Sequence, residues 1–218
     1  MRLPKIPSSG PKKKLLDATE LLVVEKGFDL VSVRDITGAS KANVAAVNYH
    51  FGSREGLMDL IAYHVMEPLN AERRKSLEAL KNPSVENLLD AYMKPLLITA
   101  KQIEMDLRFF LKLVGRVLVL PDTVIYPSLA SDRIAVSDQY LEALTELLTK
   151  SRATDLQAAW KFFENGLGQS LIMMEDETDP SEAMAQWATF ALQGLGGPKE
   201  KAAKSKKKDD QALLFDLQ

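Results

Sequence analysis

The chain has 218 residues, 46% hydrophobic and 27% charged, enough to bury a proper core in one large domain or two small ones. It holds no cysteine, which excludes disulfides, thiolate metal sites and cysteine nucleophiles. The net charge of −2 conceals a division: residues 1–60 carry nine Lys+Arg against seven Asp+Glu, residues 61–197 carry thirteen against nineteen, and the last 21 carry six against four. A mildly basic front on an acidic body points to an anionic partner at the front, as in nucleic-acid readers. No stretch approaches the ~20 apolar residues of a membrane span, and the first residues lack the apolar run of a signal peptide. The expected setting is therefore cytoplasmic, with no membrane partner.

In chain order, residues 1–11 hold three prolines, two serines and a glycine and read as a flexible arm. Helical periodicity starts at Lys12, with Leu15, Ala18, Leu22 and Val23 on one face and Gly27 as a natural stop. A second helix is expected over Ser32 to Ala39, where Ser32 and Asp35 stand at near capping-box spacing. A short helix from Asn43 to Tyr49 comes next. Ser53 is a good N-cap for a long helix toward Leu80, which Pro68 should bend or break. Further helices are expected over Ser84 to Lys101 with a distortion at Pro95, Ile103 to Leu120, and about Thr123 to Lys150, split near Ser131. Thr154 to Glu175 and Ser181 to Leu195 complete the set. Strand alternation is nowhere sustained, so the expected fold is all-α.

Three short helices with a tight turn between the second and third make a helix-turn-helix, whose last member lies in a DNA major groove. Small Ala45 and Ala46 let the helix backbone approach the bases, while Val44 and Val47 can hold it onto Val33, Ile36 and Phe51. Asn43 and Asn48 offer the donors and acceptors that read adenine edges. Tyr49 and His50 can donate to phosphate oxygens. Ser53 opens a helix N-terminus, a site for phosphate, with Arg54 beside it. The Lys12-Lys13-Lys14 run serves equally as a solvated helix start or as a DNA contact.

The blocks Val31-Ser32-Val33-Arg34-Asp35-Ile36, Asn43 to Asn48 and Tyr49-His50-Phe51-Gly52-Ser53-Arg54-Glu55-Gly56-Leu57 resemble the DNA-binding domain of the TetR family of transcriptional repressors. Leu15-Leu16-Asp17-Ala18 and Glu25-Lys26-Gly27-Phe28 match that family's first helix. Two positions depart: Lys41-Ala42 replaces a usual Gly-Val in the turn, and Asn48 stands where a bulky aromatic is usual. The resemblance implies an N-terminal three-helix DNA-binding domain over residues 12–60. A helical regulatory and dimerisation domain over 61–196 and a Lys-rich flexible tail over 197–218 would complete the chain. The candidate DNA contacts are Arg34, Lys41, Asn43, Val44, Ala45, Ala46, Asn48, Tyr49, His50, Ser53 and Arg54, on a pseudo-palindromic double-stranded operator. The resemblance further implies repression relieved by a small-molecule effector.

The last two helices are apolar on more than one face, which suggests a homodimer seam. Its candidates are Phe162, Gly166, Met184, Trp187, Phe190 and Ala191. Gly166 and Gly168 cost helix propensity, and close helix approach would explain them. Tyr92, Met93, Phe109, Phe110, Trp160 and Phe163 are candidate pocket liners, and equally fit plain core. Both histidines lie near the DNA-binding end. No metal-ligand spacing, nucleophile constellation or cofactor motif occurs, so no enzyme is expected. The rival is a small helical ligand-binding or interaction module without gene control, which would not shift its own promoter DNA. The tail ends Gln211-Ala212-Leu213-Leu214-Phe215-Asp216-Leu217-Gln218, within which the first five residues resemble a sliding-clamp docking peptide. Folding back of Leu214 and Phe215 onto the dimer, or an inert tail, fits it as well.

Overall fold

The computed structural model describes residues 9–120, 127–148 and 153–195; the tail, its Leu214 and Phe215 included, lies outside them. Among the described residues every regular element is a helix: α1 (Pro11–Lys26), α2 (Val33–Ser40), α3 (Val44–Phe51), α4 (Arg54–Glu78), α5 (Val85–Met93), α6 (Pro95–Gln102), α7 (Leu107–Leu118), α8 (Pro127–Leu147), α9 (Ala153–Ile172) and α10 (Pro180–Gly194). The reason is largely local. Ser32 and Asp35 form a reciprocal capping box at α2, and Ser84 and Asn87 form another at α5. Side chains of Asn43, Ser53, Asp106 and Asp179 cap α3, α4, α7 and α10. Gly27, at φ 89, ends α1 in a conformation that glycine adopts without strain.

Pro68, expected to bend or break α4, does not break it. Val65, Met66 and Leu69 are fully buried around that proline, and their burial outweighs a missing ladder bond worth about 3 kcal/mol. α8 is continuous through Ser131. The helix expected from Ile103 starts at Leu107 instead, because Glu104 takes a left-handed turn at φ 55 and Asp106 caps α7. The distortion at Pro95 is a division of α5 from α6 at Lys94.

α1 to α3 pack on the first turns of α4, burying Leu15, Leu16, Val23, Phe28, Ile36, Val47 and Leu57. The rest of α4 continues into the body, so the boundary expected at residue 60 falls inside a helix. There α7 crosses α9 at two glycines. A Cβ on Gly115 would stand 2.6 Å from the Gly168 carbonyl oxygen, and one on Gly168 would stand 2.8 Å from Leu118. One hydrophobic core runs from α1 to α10.

Candidate nucleic-acid interface

α2, the turn at Lys41 and α3 build the helix-turn-helix. Lys41 ends α2 in the left-handed region at φ 54, where glycine is the usual residue. Its N–H reaches back to the Thr37 and Gly38 carbonyls, and Ala42 N–H donates to Thr37 O at 3.0 Å. The turn thus closes without the usual Gly-Val. Asp35 fixes the start of α2 and lies 3.4 Å from Lys26 of α1. Hydrogen bonds from the Ser32 hydroxyl and backbone hold its carboxyl below the usual carboxylate range, with Lys26 adding to the effect.

α3 divides cleanly. Val47 is fully buried and Phe51 packs on the core, whereas Val44, Ala45, Asn48 and Tyr49 face outward. At 100° per residue those four span an arc of about 140°. Tyr49 is 85% exposed and Val44 53% exposed. Val44 therefore does not hold the helix down as expected; Val47 and Phe51 do so, and Val44 offers a methyl surface instead. The Asn43 side-chain oxygen accepts from Ala45 N–H at 3.0 Å, so its acceptor is used in capping and its amide N–H groups remain. Ala46 and His50 are half-buried at the margins, and the His50 ring meets Tyr49 edge-on at 5.0 Å. Arg34 and Lys41 are exposed on the flanking elements.

Ser53 caps α4 by accepting from Gly56 N–H at 3.0 Å. Arg54 carries a structural duty that the sequence does not announce. Its Nε donates to Val31 O at 2.6 Å and its Nη2 to Phe28 O, tying the loop after α1 onto α4. Two of its donors are thus spent on backbone carbonyls, and Nη1 stands 3.4 Å from Glu55 Oε1, so the guanidinium clamps the head structurally. Its partners lie 23 and 26 residues earlier, and no local sequence signal pairs them. Equally invisible in the sequence is Arg116 of α7, which donates to Val24 O and Glu25 O at 2.9 Å and so caps α1 from the body. The Lys12 ammonium stands 5.3 Å above the Phe51 ring, an interaction inside the head.

In the body, Tyr92, Trp160 and Phe163 come together with Tyr140 in a buried ring cluster, at centroid distances of 5.0 Å to 5.7 Å from Tyr92. Met93 and Phe110 are buried in the core, and Phe109 is half-buried. A cavity of about 240 Å³ opens between the end of α9 and the start of α10, lined by Leu167, Leu171, Met174, Met184 and Trp187 among others. None of the expected pocket liners borders it. Of the expected seam residues, Phe162 and Phe190 are 78% and 63% exposed. Met184 and Ala191 are buried within the chain itself, and the Trp187 ring fills the space at Gly166. Those positions serve the chain's own packing. Among the described residues no group of three His, Asp or Glu is placed to hold a metal ion, and no helix is long and apolar enough to cross a membrane.

A short polar and small-residue stripe on a capped helix, presented by a helix-turn-helix ahead of an all-helical body, is the arrangement by which helix-turn-helix proteins offer a reading helix to a DNA groove. Residues 15–61 match the family described as bacterial regulatory proteins, tetR family. A stretch of 77 residues is 32% identical to the "Probable HTH-type transcriptional regulator YttP" of Bacillus subtilis, and the match spans 35% of this chain and 35% of that relative's length. Solved structures agree over most of the chain. PfmR from Thermus thermophilus, a TetR-family transcriptional regulator, aligns at TM-score 0.56 and 18% identity over 85% of this chain and 99% of that one. A tetR-family regulatory protein from Rhodococcus RHA1 aligns at TM-score 0.58 and 15% identity, over 88% and 100%. AmtR of Mycobacterium smegmatis aligns at TM-score 0.54 and 18% identity, over 91% and 92%. At these identities the structures speak for the fold, and the matched head speaks for the family. Residues 15–61 therefore match the DNA-binding head of the TetR family, and the chain as a whole shares the fold of TetR-family regulators.

Proposed function

We propose that two copies of this chain bind a pseudo-palindromic operator in the cytoplasm and repress transcription until a small molecule binds the body. The observation that carries the DNA reading is the outward stripe of Val44, Ala45, Asn48 and Tyr49 on a helix pinned by Val47. Asn48 reads a base edge, Val44 and Ala45 allow close approach, and Tyr49 and Lys41 hold phosphates. Pairing through α9 and α10 is supported by Phe162, Phe190 and Met173, each more than 60% exposed on those helices or just after them. Two heads would then sit about one helical turn apart, ~34–36 Å, or farther if they spread. Relief by an effector is the behaviour typical of the family.

Selection of bound sequences from a random DNA pool tests the reading. Asn48→Ala should lose discrimination at one position per half-site, about 1–3 kcal/mol. An unchanged preferred sequence and affinity overturns the assignment. A protein that retains no DNA at all supports the rival, a binding module without gene control.

A further inference from the structure

Among the described residues beyond the head, one charged side chain is buried, and DNA binding does not use it. Arg73, on α4, is only 1% exposed, the largest side chain buried to that degree. Its Nε donates to Tyr92 O at 3.0 Å, and its guanidinium lies 3.6 Å from the centre of the Tyr92 ring. Its Nη2 is buried with no hydrogen-bond partner among the described residues. Glu164, the acid bonded to this cluster, accepts from the Tyr92 hydroxyl at 2.5 Å rather than from the guanidinium. The Tyr140 hydroxyl does not answer the charge either, because it bonds to Arg73 O at 2.7 Å and Ala91 O at 2.9 Å. Burial pushes that phenol above its ordinary range while the Arg73 charge pulls it down, and burial prevails, so Tyr140 stays neutral.

Arginine keeps its charge on burial. An isolated buried charge costs several kcal/mol, and natural sites answer it with an ion of opposite sign. Tyr92, Tyr140, Trp160 and Phe163 supply the surroundings: a contiguous apolar wall with ring centroids 5.0 Å to 6.2 Å apart. A multiply charged phosphate would bring more desolvation cost to this wall than a monoanion.

We infer that Arg73 is the anchor of a buried anion site between α4, α5, α8 and α9 that takes a carboxylate carrying an apolar acyl or aryl body. The carboxylate accepts from Nη2, and the body replaces ring–ring contacts of the cluster. Arg73 and the four rings are all buried, so binding must displace part of that cluster, which lowers apparent affinity by the fraction of time it is open. The inference deepens the effector reading and depends on it only for the consequence at DNA.

The test uses the full chain without DNA. Straight-chain and aryl carboxylates are titrated beside their uncharged primary amides, with thermal midpoint and calorimetric binding as readouts. A carboxylate of the right length should raise the midpoint by about 5–10 °C at a hundredfold excess over its Kd. Its amide should not, and Arg73→Met should abolish the response. The ligand-free Arg73→Met chain should melt no lower than wild type, because an unanswered charge is removed. If Arg73→Met does not fold, Arg73→Lys decides, with an affinity about tenfold weaker or worse expected from loss of the planar fork. Equal shifts by carboxylate and amide, no shift by any carboxylate, or full binding by a folded Arg73 variant overturns the site. Carboxylate binding that leaves the operator complex intact keeps the anion site and removes the effector reading.

Discussion

Lys41 and Arg54 are both cations of the head, yet their surroundings differ: one is exposed and the other is held by two backbone carbonyls. Lys41 is exposed and held at φ 54, a conformation that costs an L-residue about 1–2 kcal/mol. Lys41→Gly should relieve that strain and stabilise the protein by about 0.5–1 kcal/mol, net of glycine's entropy. The same change removes a charge from the DNA side, so the slope of log K against log salt should fall by about one. Urea midpoints and salt-dependent binding measure the two effects separately. Arg54 should behave in reverse. Arg54→Met breaks two charged hydrogen bonds to Val31 O and Phe28 O, at a cost of about 2–4 kcal/mol in stability. Its salt slope should stay at the wild-type value once the head is folded. A reduced slope with unchanged stability would restore Arg54 to the phosphate contacts.

At the scale of elements, the crossing of α7 over α9 rests on Gly115 and Gly168. A Cβ on Gly115 would stand 2.6 Å from a backbone oxygen and 3.0 Å from the Leu171 Cβ, so neither neighbour can rotate out of its way. Gly115→Ala should cost about 1–3 kcal/mol by overpacking, read as a lower denaturant midpoint. Gly166→Ala meets only the Trp187 ring, a side chain that can move, and should cost less. α2 carries a pH dependence. The Asp35 carboxyl is held below its usual range, so its capping box is at full strength above the unfolded value near 3.8. It is lost as pH falls through the lower folded value, and amide exchange at the start of α2 should quicken in that window. These elements also show why the sequence was legible in some places and opaque in others. Caps at Ser32, Asn43, Ser53 and Asp179 act within three residues of their partners, so they can be read locally. The Arg116 bonds to Val24 and Glu25 join residues 92 and 91 apart, and only the packing of α7 on α1 brings them together. Val44 and Val47 have the same chemistry, and only the rotation of α3 tells which one is buried.

For the whole molecule, the proposed dimer rests on the apolar face left uncovered on α9 and α10. Phe162→Asp and Phe190→Asp place charges on exposed positions, so they should release monomers at micromolar concentration without lowering helix content. Sedimentation at that concentration checks it, and a wild-type chain that is already monomeric would refute the dimer. Trp187→Asp is the poorer probe, because Trp187 stacks on Phe163 at 6.4 Å and fills the space over Gly166, so it injures the fold as well. Five of the six seam candidates rest on hydrophobic pattern and Gly166 on close helix approach, and a pattern cannot separate a face turned to a partner from one turned to the chain's own core.

The tie between Arg116 and the last carbonyls of α1 bears on how such proteins can be recombined. The reading head looks like a cartridge that could be cut at residue 60 and fitted to another sensor. Its first helix is nevertheless finished by a guanidinium far beyond that cut, and its fourth helix is the scaffold of the body. A chimera made at that point should bind DNA only if the recipient supplies an arginine at the equivalent height of its own crossing helix. Restoring that single residue in a failed chimera is expected to rescue it.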